Sequence, residues 1–150
     1  MRTNNFHFHA AASAVLVAAV PVATWGLIGR LDESGPRSEL LYIIEPPGIA
    51  QGVETTLGVV CLVLALVSGA VLMHASRRGT FERRWWPVLL PLVAAGLIAG
   101  AAGRVATAGT QVDSGANIGG GMAMFAGVPA VLLLLVVAPV VWLSQRRARR

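Results

Sequence analysis

The chain alternates four long apolar stretches with short polar connections. The stretches run roughly over 10–29, 49–75, 86–108 and 120–143. A helix crosses about 30 Å of hydrocarbon with about 20 apolar residues, at about 1.5 Å per residue. Each stretch meets that length. The pattern predicts an all-α integral membrane protein, a single four-transmembrane-helix bundle. An outer loop over 30–48 and a basic tail over 144–150 complete it.

Composition supports lipid as the solvent. Of 150 residues, 55% are hydrophobic and 13% charged, and the mean hydropathy is +0.69. A soluble domain carries about a quarter charged residues. Every basic residue is Arg, and Ala, Gly, Val and Leu dominate. That bias is the codon signature of a GC-rich bacterial genome and points to the bacterial cell (inner) membrane. The lone Cys61 permits no intramolecular disulfide and no CxxC chemistry.

Charge orients the spans. Nine of the twelve arginines fall before the first span, between the second and third, and after the fourth. Arginine excess marks the cytoplasmic side, so the N- and C-termini are expected to be cytoplasmic. The outer loop is acidic, with Asp32, Glu33, Glu39 and Glu45 against Arg30 and Arg37. Trp85, Trp86 and Trp142 fall at the inner boundary, and Trp25 and Tyr42 near the outer one, where amphipathic rings favour the headgroup level. The first span also resembles a secretory signal in layout. A cut after Ala23, however, would put Pro21 at a position that wants a small residue. It is read as retained.

The outer loop carries an apolar patch, Leu40 to Ile44, and ends at Pro46-Pro47-Gly48, which stops any helix. The patch is expected on the membrane surface or as a cap on the bundle. The second outer connection, 109–119, is small, polar and expected to be flexible.

Candidate chemistry is sparse. Gly96, Gly100 and Gly103 lay a stripe of small residues along the third span, a spacing that lets helices approach closely. Its plain use is packing inside the bundle; its other use is a homo-oligomer or a membrane-protein partner. Glu54 and Arg104 fall inside spans at similar depth. Charges in lipid usually face the interior and pair, so the two are expected to form an intramembrane ion pair, with Gln51, Thr55, Thr56 and Thr107 adding polar contacts. Its bland role is to fix helix register. Its functional role is a polar entrance for an ion, proton or small solute.

His7, His9 and His74 gather near the inner boundary and are read as interfacial polar residues; no metal and no cofactor is expected. Arg77, Arg78, Arg83, Arg84, Arg146, Arg147, Arg149 and Arg150 set topology and can meet anionic lipid headgroups. No nucleic-acid-binding module accompanies them. No HExxH, P-loop or GxSxG motif is present, so the chain is not read as an enzyme.

The sequence therefore predicts a non-enzymatic accessory or structural subunit, or a self-associating bundle. The alternative is a small channel or transporter using Glu54 and Arg104. Below Glu54, the run from Leu57 to Leu72 is almost wholly apolar, Ser68 excepted, which counts against a continuous aqueous path.

Overall fold

The computed structural model describes residues 2–32, 40–111 and 118–147. Four helices fall on the four apolar stretches: α1 (Arg2–Ile28), α2 (Gln51–Arg77), α3 (Trp86–Ala106) and α4 (Ile118–Arg147). All four are long and apolar enough to cross a membrane. Arg149, Arg150 and most of the acidic loop, including Glu33, Arg37 and Glu39, lie outside the described residues.

Local chemistry sets the helix ends. Gly29 follows α1 with φ 74°, the left-handed geometry that glycine adopts without a Cβ penalty. Gly79 does the same after α2, with φ 73°. There the N–H groups of Thr80 and Phe81 both return to the Ala75 carbonyl, at 3.0 and 3.1 Å. α2 starts only after Pro46-Pro47-Gly48. α3 begins with Pro87 in its first turn, where a missing N–H costs little, preceded by a single 3-10 turn at Arg83–Trp85.

The packing order differs from the chain order. The extensive interfaces are α1 with α2, α1 with α3, and α3 with α4. The helices therefore stand in the order α2, α1, α3, α4, with α1 between the two helices that follow it. A bundle in which α2 and α3 lie side by side is not what forms. Glycines explain the difference. A Cβ on Gly26 of α1 would lie 2.7 Å from the Gly58 Cα of α2, so the two backbones are in direct contact. On α1's other flank, a Cβ on Gly100 of α3 would lie 2.5 Å from the Pro21 carbonyl oxygen. Small residues on both sides of α1 draw its neighbours in.

The main apolar cluster gathers Leu16, Ala19 and Val20 of α1, Ala65, Leu72 and Ala75 of α2, and Leu89 of α3, closed by Phe81 of the connecting turn. α4 packs on α3 with small residues at its most buried positions. Its buried positions are Gly120, Gly127 and Ala138, and a Cβ on Gly127 would lie 2.7 Å from the Ala102 Cβ. Large side chains of α4 point away from protein, with Phe125 86% exposed.

The two connections at the C-terminal ends of α1 and α3 join each other. β1 (Leu40–Leu41) pairs antiparallel with β2 (Thr110–Gln111), Leu40 opposite Gln111 and Leu41 opposite Thr110. Ile44 N–H donates to the Ala106 carbonyl at 3.2 Å, and the Gly109 N–H donates to Asp32 Oδ1 at 2.9 Å. The described start of the second connection is thus tied down; Asp113 and Asn117 lie outside the described residues. The apolar patch divides: Leu40 is buried, whereas Leu41, Ile43 and Ile44 are exposed.

Candidate functional site: an ion clamp at three helix ends

Glu54 lies in the first turn of α2, and Arg104 in the last turn of α3. Arg30 is the second residue beyond α1. The packing order brings the N-terminus of α2 together with the C-termini of α1 and α3, and the three charges meet there. Glu54 Oε2 accepts from Arg104 Nη2 at 3.2 Å. Its Oε1 accepts from Arg30 Nη2 at 2.8 Å, and Arg30 Nε approaches Oε2 at 3.4 Å.

Both guanidiniums also donate to backbone. Arg104 Nε donates to the Gly29 carbonyl, the group that the left-handed turn after α1 presents. Arg30 Nη2 also donates to the Ile49 carbonyl at 2.5 Å, just ahead of α2. The Arg104 guanidinium covers the Trp25 ring at 4.9 Å, a cation–π contact with α1. Thr107 caps α3 by donating from its hydroxyl to the Arg104 carbonyl at 3.0 Å.

The electrostatics are consistent. A carboxylate suits the positive N-terminal end of a helix, and a guanidinium suits the negative C-terminal end. Glu54 and Arg104 therefore favour their own helix ends as well as each other. Glu54 and Arg104 side chains are 1% and 3% exposed, against 21% for Arg30. Protein encloses the first two, while Arg30 reaches the surface. The hydrogen bond to Glu54 raises the Arg30 pKa above its ordinary value, and this outweighs the opposing effect of burial. Two guanidinium groups share one carboxylate, leaving the cluster with a net positive charge.

Other residues singled out in the sequence are distributed elsewhere. Thr55 and Thr56 turn away and donate to the Gln51 and Gly52 carbonyls of their own helix, at 3.1 and 2.7 Å. Gly96 and Gly100 face α1, with Pro21 and Val20 opposite Gly96, whereas Gly103 has no neighbour within 4 Å. The close contact therefore ends at Gly100. His9 lies edge-on to Phe8 and Phe81, with ring centroids 5.8 Å away in each case, and neither of its nitrogens has a hydrogen-bond partner among the described residues. Among the described residues, no three His, Cys, Asp or Glu side chains converge to hold a metal. Arg146 stacks on Trp142 at 3.6 Å.

Arg30 is the member that sequence reasoning missed, having been counted as a loop charge that sets topology. Its signal was Gly29: a glycine closing α1 places the next residue at the helix end, level with Glu54. Tyr42 was read as an interfacial ring; the structure packs it against Gly109. Comparison with protein families, curated proteins and solved structures finds no match to this chain.

Proposed function

We propose that this chain is a non-catalytic, multi-pass protein of the bacterial cell membrane. In this reading its N- and C-termini are cytoplasmic, and it serves as an accessory or structural subunit of a larger membrane assembly. The observation that carries the reading is the state of Glu54. This is the only acid within the four apolar helices, and both of its oxygens are held by Arg30 and Arg104. A carboxylate so held fixes three helix ends. It is poorly placed to take up and release an ion or proton.

The competing reading, a channel or transporter using Glu54 and Arg104, needs a polar path beyond the clamp. The buried residues of α2 below Glu54 are Gly58, Ala65, Ser68, Leu72 and Ala75, which offer a single side-chain hydroxyl. The exposed side of α4 favours the subunit reading: the helix packs on α3, while large side chains such as Phe125, Leu133 and Val136 are exposed and open to lipid or to another membrane helix.

The test is purification from the native membrane through a tag at the C-terminus, in mild detergent, with co-purifying proteins identified and particle mass measured. A reproducible, stoichiometric membrane-protein partner is the expected result. A homogeneous monomer or homo-oligomer would overturn the accessory-subunit reading and move attention to solute flux through Glu54 variants in liposomes.

A further inference from the structure

The turn between α2 and α3 encloses an open cavity of about 530 Å³ lined by Ser76, Arg77, Gly79, Phe81, Glu82, Arg83 and Arg84. Its charge is unbalanced. Glu82 is the only acid in the lining and pairs with Arg84. Arg77 and Arg83 have no carboxylate partner among the described residues, and Arg77 reaches only the Met73 sulfur, at 3.8 Å.

The frame of the cavity is fixed in advance. Gly79 turns the chain, and Thr80 and Phe81 return their N–H groups to Ala75. Phe81 is buried and forms the apolar floor. Trp86 Nε1 donates to Ser76 Oγ at 3.3 Å, linking the start of α3 to the end of α2. The Phe81 and Trp86 rings meet edge-on at 6.3 Å. Arg77 and Arg83, neither paired with a carboxylate among the described residues, therefore line the cavity together with the buried Phe81 at the end of two apolar helices.

From this arrangement we infer that the cavity binds the phosphate of an anionic phospholipid headgroup. The inference rests on the reading that α2 and α3 span a membrane, which puts this turn at headgroup level. Guanidinium groups pair with phosphate oxygens through parallel N–H donors, and basic pockets between membrane helices on the cytoplasmic side hold anionic headgroups. The apolar floor and the adjoining Trp85 and Trp86 suit the glycerol and first acyl carbons, which a soluble phosphate lacks.

Delipidated protein in detergent is titrated with phosphatidylglycerol, phosphatidylcholine or free glycerol phosphate and read by native mass spectrometry. The expected result is one phosphatidylglycerol adduct, favoured about tenfold over phosphatidylcholine, and none with glycerol phosphate. The double variant Arg77→Gln/Arg83→Gln should lose that preference, and Arg30→Gln, at the opposite end of α2 and outside the cavity lining, should keep it. Circular dichroism and monodisperse elution establish that both variants fold. Equal binding of the two lipids, equal loss in both variants, or equal binding of glycerol phosphate would each overturn the inference. Alkaline extraction of native membranes separates the two readings. A chain released into the supernatant overturns membrane insertion itself, whereas a retained chain without lipid preference overturns the pocket alone.

Discussion

Glu54 and Arg104, fifty positions apart, meet at 3.2 Å across the end of a helix to which neither belongs. The ion pair closes over the C-terminus of α1, which fills the space between α2 and α3. Arg104 holds the last turn of α1 through the Gly29 carbonyl and the Trp25 ring, and Arg30 completes the arrangement from α1's own side. The clamp therefore fixes the register of three helices along their axes.

Removing the shared acceptor should be the most damaging change. Glu54→Gln leaves two guanidiniums facing each other, one of them enclosed. Loss of one partner from a buried pair costs about 3–5 kcal/mol. Arg30→Gln should cost about 1 kcal/mol or less, because that side chain is partly exposed. Thermal unfolding of the detergent-solubilised protein gives the order. The double variant Glu54→Gln/Arg104→Gln should lose less than the sum of its singles; strictly additive losses would show that the two groups are uncoupled.

The glycines of α3 should separate sharply. Gly100→Ala drives a methyl into the Pro21 carbonyl and should destabilise by about 1–3 kcal/mol. Gly103→Ala meets nothing within 4 Å and should stay within about 0.5 kcal/mol of the parent. Gly26→Ala, backbone against backbone, should be at least as severe as Gly100→Ala. Equal melting temperatures for the Gly100 and Gly103 variants would remove the α1–α3 contact from the account.

The Tyr42 hydroxyl is buried without a hydrogen-bond partner among the described residues. Tyr42→Phe keeps the ring on Gly109 and discards a polar group that gains nothing there, so stability should be unchanged or slightly improved. Gly109→Ala places a methyl 2.7 Å from the same ring and should be destabilising. A clear loss in Tyr42→Phe would reveal a partner for the hydroxyl.

Orientation is open to a direct test. A green fluorescent protein fused after Arg150 should fluoresce, and a phosphatase that is active only outside the cytoplasm should be inactive at the same point. The reverse pair of results would invert the topology argued from arginine excess.

How much of this was legible follows from range. Length and hydropathy are local properties, so four membrane-length helices could be read directly. Glu54 and Arg104 stood out because a charge is conspicuous in an apolar run. The packing order is not legible in this way: Gly26 against Gly58 and Gly100 against Pro21 place α1 between α2 and α3. Those contacts depend on pairs of residues far apart in the chain, and a glycine does not announce which glycine it will meet. Arg30 was obscured for a related reason: a loop residue gains its role from the helix end that Gly29 defines. The β1–β2 pairing is two residues long on each side, too short for any alternation to reveal it.

The central position of α1 also bears on assembly in time. Chains are synthesised from the N-terminus, so α1 is made before α2 and α3 and offers the surface on which both then settle. α4 is made after these three, packs extensively on α3 alone among the described helices, and supplies none of the clamp's described residues. The three-helix unit is therefore made before α4 emerges, and α4 can change partners without disturbing the charges that hold the others in register.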